Sequence, residues 1–485
     1  MHQLTSPHLY EECVIPILEH RLRDLRISSE KTWFNSDGSK VSFDAGECCE
    51  TEPDAFKKIL NHPAFMNELA DNFRSLMHHF SEATLQNFSW HLGCCVPDEV
   101  MGPTGYIPLN QNCIQSLSLI TDGTCQSSTD MAGLSQLNNL RSLTWEGIDP
   151  DGDHGNLVAC LTANSMHLKH LKLGVVSRHL SDPDLSWLDD SELHINELTG
   201  LRGCELGKGK ADFGCLRHLS LSNIALGNST PKMAYKHVNA FVHLHELESF
   251  TLRQCPGTVQ FLTGLTGSGR PFHLRRFECV YPIDENKTHP VEAFLQLCDN
   301  LEELYLSKRT SICFKSIPRT VKRLVGHFLT FNGALTFQSP LDYALEYSLQ
   351  GLPLELVGIS VFSRPWLMEP RMQFMNIGHT LRLIHLRATF IGNENSPCDL
   401  VSQLLHSEDR ERTEMSNLSS FAEWAFDTNG LLHLQAIAYG NFAGGQQYAW
   451  TRILLCRNSS NEVQGPRLRS YRVMTRQEYE PLLDT

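Results

Sequence analysis

A spaced set of three apolar residues recurs twelve times between residues 85 and 439. Each copy has Leu or an equivalent at its first, fourth and sixth positions. The clearest copies are LRSLTW at Leu140, LKHLKL at Leu168, LRHLSL at Leu216, LESFTL at Leu247, LEELYL at Leu301 and LRLIHL at Leu381. Weaker copies begin at Leu85, Ile114, Leu274, Val321, Leu354 and Leu434. Most starts lie 20 to 33 residues apart, and two gaps are longer, at 48 and 53 residues.

This spacing lies close to the period of about 20–29 residues that is typical of leucine-rich repeats. In such a repeat, a short strand carries three inward side chains, and one unit alone cannot bury them. Stacked units form a continuous core, in which each buried Leu contributes roughly 1.5–3 kcal/mol. One copy could arise by chance because Leu is common. Twelve copies at a restricted spacing predict an α/β fold, an irregular leucine-rich-repeat solenoid shaped as an arc or horseshoe.

The repeats are degenerate. Past the third apolar residue, regular repeats place an Asn or Cys against the next turn, and here only Cys255 occupies that position. We therefore expect no asparagine ladder, and return segments that are helical, such as the one from Pro290 to Cys298. The two long gaps are expected to hold solvated excursions, one at residues 181–197, with six acidic residues and no basic residue apart from His194, and one containing SEDRERTE.

Both ends differ from the repeats, which suggests three regions: residues 1–84, 85–440 and 441–485. The first contains one more strand copy at Leu22, Leu25 and Ile27, and then two helices separated by Pro63. The last contains TRILLCRN and SYRVMTRQEY, which are predicted to pair as a hairpin. We interpret these as a helical N-terminal cap and a β-hairpin C-terminal cap, because terminal repeats would otherwise expose apolar surface.

Composition narrows the functional class. The chain is 41% hydrophobic and carries a net charge of −14, which argues against a general nucleic-acid binder because such proteins need a basic surface. No stretch approaches the roughly 18 consecutive apolar residues of a membrane span, and no signal peptide is recognisable at the start. We expect a cytoplasmic or nuclear protein without membrane contact, whose cysteines are reduced.

Motifs for catalysis or metal binding are incomplete. GCELGKGK at Gly203 has three residues where a phosphate-binding loop needs four, and DPDGDHGN at Asp149 places His154 where a calcium loop needs Gly. The sequence contains neither the CxxC of zinc sites nor an HExxH helix motif. We therefore expect a protein that is not an enzyme and holds no cofactor or metal.

The segment LTSPHLYEECVIPILEHRLRDLRI, followed by weak repeats such as LQNFSWHLG, resembles the fungal F-box-like leucine-rich-repeat proteins. In that family, an N-terminal F-box binds the Skp adaptor of cullin-RING ubiquitin ligases, and the repeats hold a substrate. Only residues 1–10 match the end of such an F-box, with Leu4, Leu9 and Tyr10 as apolar side chains. The resemblance therefore implies binding of Skp and cullin only if an upstream F-box is restored.

The favoured hypothesis is a non-catalytic protein-interaction scaffold, similar to the substrate-recognition part of a ubiquitin-ligase subunit. The alternatives are an enzyme or small-ligand-binding protein whose site is assembled across repeats, and a truncated gene product without a partner. A scaffold would bind through the residues between and just after the apolar positions. These are Lys172, Ser220, Arg253, Glu278, Tyr305, His385 and Arg387.

A basic segment offers a second candidate surface. KRTSICFKSIPRTVKR contains six basic residues and no acid, which is unusual in this acidic chain. Its clustered cations would be either a docking patch for an acidic partner or a solvated edge that balances acids elsewhere in the fold. The candidate residues are Lys308, Arg309, Lys322 and Arg323.

Overall fold

The structure of the chain, a computed structural model, falls into two units, Met1–Ser268 and Gly269–Thr485, which are described separately. It describes residues 24–28, 33–34, 40–41, 63–77, 80–92, 94–121, 131–149, 153–175, 213–226, 243–280, 289–308, 316–328, 349, 351–362, 378–389, 408–440, 453–458 and 471–474.

The first unit combines short strands with helices. Its strands are β1 (Asp24–Ser28), β2 (Trp33–Phe34), β3 (Lys40–Val41), β4 (Asn87–His91), β5 (Ser116–Ile120), β6 (Ser142–Ile148), β7 (His170–Val175), β8 (His218–Ser222) and β9 (Ser249–Arg253). Its α-helices are α1 (Pro63–Met77), α2 (Asp98–Met101), α3 (Tyr106–Asn110), α4 (His154–Asn164) and α5 (Thr258–Thr266), with 3-10 turns at Ala132–Gln136 and Leu244–Glu246.

The second unit continues the same type of organisation. Its strands are β10 (Arg276–Val280), β11 (Glu303–Lys308), β12 (Arg323–Phe328), β13 (Leu356–Phe362), β14 (Leu383–Thr389), β15 (Ala436–Tyr439), β16 (Ile453–Arg457) and β17 (Tyr471–Met474). Its described helices are α6 (His289–Leu295) and α7 (Glu408–Phe426).

Parallel pairing follows the order of the chain within each unit. In the first unit, β1 pairs with β4, and each strand from β4 to β8 pairs with the next, all in parallel. In the second unit, β10 to β15 pair in the same way. The small strands β2 and β3 pair antiparallel. One parallel strand per repeat is the topology of a solenoid, since each turn of the chain adds a strand beside the previous one.

All twelve predicted copies form strands, and each strand begins two residues after the first apolar residue of its copy. The additional copy predicted at Leu22 likewise forms β1, which begins at Asp24. The described fold is thus a mixed α/β repeat structure, as the sequence predicts.

Apolar triplets form the core. In the copy at Leu140, the side chains of Leu140, Leu143 and Trp145 are all 0% exposed. In the copy at Leu301, Leu304 and Leu306 are each 2% exposed. The alternation of strand side chains explains this arrangement, because residues at positions four and six of each copy point to the same face.

Buried amides tie neighbouring repeats together in the first unit. Asn164 is 1% exposed; its Oδ1 accepts a hydrogen bond from the Leu140 backbone N–H at 2.8 Å, and its Nδ2 donates to the Leu137 carbonyl at 2.6 Å. Gln111 is 0% exposed, and its Oε1 accepts from the Leu85 N–H at 3.0 Å. Each amide therefore satisfies backbone groups of the preceding repeat that would otherwise be buried without partners.

Cys255 behaves as its position predicts. The residue is buried, and its thiol donates a hydrogen bond to the Leu221 carbonyl on the preceding strand at 3.3 Å. The helical return segment predicted from Pro290 to Cys298 is also present, as α6 over His289–Leu295.

At the C-terminal end, the two predicted strands β16 and β17 pair antiparallel with each other, and β16 also pairs antiparallel with β15. Arg457 on β16 connects this hairpin to helix α7. Its guanidinium donates to the carbonyls of Phe426, Leu431 and Leu434 at 2.7, 2.8 and 2.8 Å. It therefore satisfies the carbonyl of the last residue of α7 and two carbonyls of the segment that follows the helix. The role of either end as a cap remains a prediction.

Two expectations are corrected. The segment SEDRERTE was predicted as a solvated excursion, but residues 408–414 of it form the first turns of helix α7. The physical reason is that buried Leu418, Phe421 and Ala425 anchor the helix to the core. The cysteines were expected to be reduced, yet Cys95 is disulfide-bonded. Eight other described cysteines are free.

Several predicted features lie outside the described residues: the acidic stretch at 181–197, the motif at Gly203 and the helix before Pro63. Helix α1 begins at Pro63 itself, which fits the prediction that a helix starts there. In the described part of the chain, no helix has the length and apolar character needed to cross a membrane.

Candidate interaction surface

The first unit's strands present polar side chains on the face opposite the core. On β4, β5 and β8, buried residues alternate with half-exposed ones. We call this surface the polar face. Its members on β4 to β9 are Asn87, Ser89, His91, Ser116, Ser118, Ser142, Thr144, Glu146, His170, Lys172, His218, Ser220, Ser222, Ser249, Thr251 and Arg253.

Short hydroxyl side chains dominate the middle of the polar face. The central row runs in register across five neighbouring strands, and its residues are half-exposed. Its members are Ser89, Ser118, Thr144, Lys172 and Ser220. At about 4.8 Å between strands, the row spans about 19 Å. Thr251 continues the register on β9 but is buried.

Two members of the central row contact side chains that lie beside it, and two histidines next to the row contact each other. Lys172 forms an ion pair with Glu146, and the His91 Nε2 lies 2.7 Å from the Ser118 Oγ. The rings of His170 and His218 stack, with centroids 4.2 Å apart. Partial burial of the His170 ring lowers its pKa, and the charge of Lys169 lowers it further, whereas Glu248 opposes the shift.

The structure brings two of the predicted contact residues together in the first unit. Lys172 and Ser220 are direct register partners on β7 and β8. Arg253 lies on β9, exposed, in register with Ser222 rather than with the central row. These three predicted residues therefore share the polar face.

The remaining predicted residues belong to the second unit. Glu278 and Tyr305 are register partners on β10 and β11. The Nε2 of His385, on β14, lies 2.8 Å from the Gly440 carbonyl oxygen. Arg387 lies on β14 in register with Ser360. The predicted set is thus divided between the two units.

In the predicted basic segment, two cations are neutralised by the neighbouring strand. The Lys322 Nζ lies 3.7 Å from Glu302 Oε2, and the Arg323 Nη1 lies 2.9 Å from Glu303 Oε1. These contacts favour the alternative in which the segment balances acids elsewhere in the fold. Lys308 ends β11, and Arg309 lies outside the described residues.

The same two carboxylates also receive basic partners from β10. Arg275 contacts Glu302 at 3.0 Å, and Arg276 contacts Glu303 at 2.7 Å. Hydrogen bonding from Arg275 lowers the pKa of the Glu302 carboxyl, and the hydrogen bond to Glu303 raises the pKa of Arg276. Each carboxylate is thus held between cations on both neighbouring strands.

A further row was missed by the sequence analysis. It consists of the residue directly after the first apolar residue of each copy, and we call it the edge row. Backbone hydrogen bonds join its members from strand to strand in each unit. In the first unit they are Gln86, Gln115, Arg141, Lys169, Arg217 and Glu248, and in the second they are Arg275, Glu302, Lys322, Glu355, Arg382 and Gln435.

Two buried thiols and the carboxylate of Asp153 are candidate reactive groups whose chemistry depends on their surroundings in the fold. Burial raises the pKa of the Cys160 and Cys298 thiols to about 12, so neither is a thiolate nucleophile at neutral pH. In the motif at Asp149, the Asp153 carboxylate accepts a hydrogen bond from the Asp149 N–H at 3.1 Å. Within the described ranges, no group of three or more metal-ligating side chains converges.

Strand pairing and core burial make each unit a parallel-strand repeat structure, and the first unit carries a polar sheet face. No protein-family model and no curated protein matches the sequence. A solved structure that resembles the chain is a leucine-rich-repeat protein of Leptospira interrogans, with 12% sequence identity and a TM-score of 0.27. The match covers 88% of this chain and 81% of that one.

Proposed function

We propose that the chain is a non-catalytic scaffold that binds a partner protein across the polar face of its first unit. The observation that supports this most strongly is the central row, in which four of the five half-exposed residues are Ser or Thr. A core-forming strand needs apolar residues on its inner face only, so the composition of the outer face is free to serve binding.

Hydroxyl side chains suit this task for two reasons. Each can donate and accept hydrogen bonds, so the row accommodates both N–H and C=O groups of a partner. A Ser side chain also loses less rotamer entropy than a Lys or Glu side chain when it is fixed in an interface. Short side chains further allow a partner's backbone to approach the sheet closely.

Attachment to a ubiquitin ligase is the finer part of the proposal. Its support is the resemblance of LTSPHLYEECVIPILEHRLRDLRI to the end of an F-box and the region that follows it in that family. On this proposal, the repeats hold a substrate, and Skp and cullin join when an F-box precedes Leu4. Co-purification of Skp and cullin with the chain, made with and without its upstream codons, tests this part independently of substrate binding.

Replacing Ser220 by Arg is expected to weaken partner binding by about tenfold or more, because a long charged side chain would stand in the central row, at its β8 end. Binding is measured by recovery of a stoichiometric partner from the native cells with the tagged full-length chain. Met166→Arg is the matched control, since Met166 is 71% exposed at the end of α4, away from the polar face. It should leave recovery unchanged.

Both variants should melt within a few degrees of the parent chain, since neither Ser220 nor Met166 is buried and such surface positions contribute little to stability. Equal loss of the partner in Ser220→Arg and Met166→Arg would contradict the proposal. So would a partner that survives Ser220→Arg in full amount.

A further inference from the structure

The edge row carries charge in a different pattern in each unit. In the second unit the sign alternates from strand to strand, as Arg275, Glu302, Lys322, Glu355 and Arg382. In the first unit, three cations stand side by side. Lys169 donates its backbone N–H to the Arg141 carbonyl at 2.8 Å, and Arg217 donates to the Lys169 carbonyl at 2.9 Å.

Three adjacent like charges oppose folding. Directly opposed side chains on neighbouring strands lie only about 5 Å apart, where like charges destabilise the pair. In the second unit, ion pairs such as Arg275 with Glu302 remove this cost. Among the described residues, no ion pair joins Arg141, Lys169 or Arg217 to a carboxylate. Arg141 and Lys169 are exposed, whereas Arg217 is half-exposed and its guanidinium donates a hydrogen bond to the Leu216 carbonyl at 3.2 Å. We call these three residues the basic row. Their positive charges are therefore available to bind another molecule.

The surroundings of the basic row add further groups that bind anions. The stacked His170 and His218 lie one residue further along β7 and β8, and Ser142 occupies the same position on β6. Guanidinium, ammonium and hydroxyl groups together are the donors that recognise carboxylates and phosphates.

We infer that the basic row Arg141, Lys169 and Arg217 binds an acidic segment of the partner protein, beside the polar face. This inference rests on the proposed function and specifies the chemistry of its partner. A net charge of −14 repels acidic molecules from the chain as a whole, so binding must come from this local row. A nucleic acid fits less well, because Glu248 adjoins Arg217 at the end of the row and would repel a continuous line of phosphates.

The test uses the full chain and a fluorescent hexaglutamate peptide, with affinity measured by anisotropy at low and moderate salt. We expect the double variant Lys169→Glu, Arg217→Glu to bind the peptide about tenfold or more weakly, and parent binding to weaken as salt rises. Arg382→Glu is the matched control, because Arg382 occupies the same repeat position in the second unit and is exposed. It should change the affinity by less than about twofold.

The melting temperature of Lys169→Glu gives a second test. If Lys169 served only to stabilise the fold, this variant would melt at a lower temperature than the parent. Lys169→Glu restores alternating signs between Arg141 and Arg217, so its melting temperature should equal or exceed that of the parent while peptide binding falls. The pKa of His170 should rise in this variant, because the charge of Lys169 lowers it in the parent. If Lys169→Glu folds poorly, Lys169→Gln with Arg217→Gln removes charge without reversing it and should also weaken binding.

Three results would overturn the inference: no binding of hexaglutamate at low salt, equal weakening by Arg382→Glu, or tighter binding of an oligothymidine through the same residues. The proposed function is tested separately. If Ser220→Arg releases the partner but charge reversal in the basic row does not, the proposed scaffold function stands and the inference that the partner binds through an acidic segment is wrong. A partner insensitive to Ser220→Arg would contradict the scaffold even if hexaglutamate binds.

Discussion

Leu304→Asp is expected to lower the free energy of unfolding by about 4 kcal/mol or more, the largest loss among the substitutions considered. Leu304 is 2% exposed, and it points into the core from β11 between Leu301 and Leu306. A carboxylate placed there would have to be buried without a partner or carry a proton. The melting temperature of the variant, followed by tryptophan fluorescence, measures the loss.

Tyr305→Ser is the matched control, one residue further along the same strand. Tyr305 points to the opposite face and is half-exposed, so this change should cost about 1 kcal/mol or less. Equal melting shifts for Leu304→Asp and Tyr305→Ser would contradict the alternation on which the repeat assignment depends.

Asn164→Leu is expected to cost about 3 kcal/mol, although the two side chains have similar volumes. The change leaves the Leu140 N–H and the Leu137 carbonyl buried without the partners that the Asn164 amide provides. Each such unsatisfied backbone group costs roughly 1–3 kcal/mol. Urea denaturation followed by circular dichroism measures the loss.

Asn139→Leu serves as the control for this second substitution. The Asn139 Nδ2 also donates to the backbone of the preceding repeat, at 2.9 Å to the Asn112 carbonyl, but the contact is exposed. Water can replace it, so the cost should stay below about 1 kcal/mol. A similar loss of unfolding free energy in Asn164→Leu and Asn139→Leu would show that burial of the Asn164 amide does not add to its contribution to stability.

The strands could be predicted because their signal is local and repeated. A triplet such as Leu168, Leu171 and Leu173 fixes both the strand and its inner face, and the next copy fixes its neighbour. The polar face follows from the same alternation, and this is why Lys172 and Ser220 could be assigned to one surface from the sequence.

Helix α7 was missed because charge was weighed above helix propensity and apolar spacing. The residues after Glu408 are strong helix formers, and buried Leu418, Phe421 and Ala425 recur at helical spacing behind them. The acidic residues of SEDRERTE lie in the first turns of the helix, and the apolar residues that anchor it come later in the sequence.

The basic row was missed for a different reason. Its members are separated by 28 and 48 residues in sequence, so no linear charge run reveals them. Aligning LRSLTW, LKHLKL and LRHLSL on their first leucine would have placed Arg141, Lys169 and Arg217 in one column. The ion pairs of Glu302 and Glu303 were likewise hidden, because their partners lie on neighbouring strands.

Site-specific photocrosslinking tests the proposed scaffold most directly. A photoreactive residue at Ser220, in the central row of the polar face, should form a single adduct with a partner protein in the native cells. The same residue at Met166, exposed at the end of α4, should form none with that partner. An adduct formed equally from both positions, or from Met166 alone, would contradict binding across the polar face.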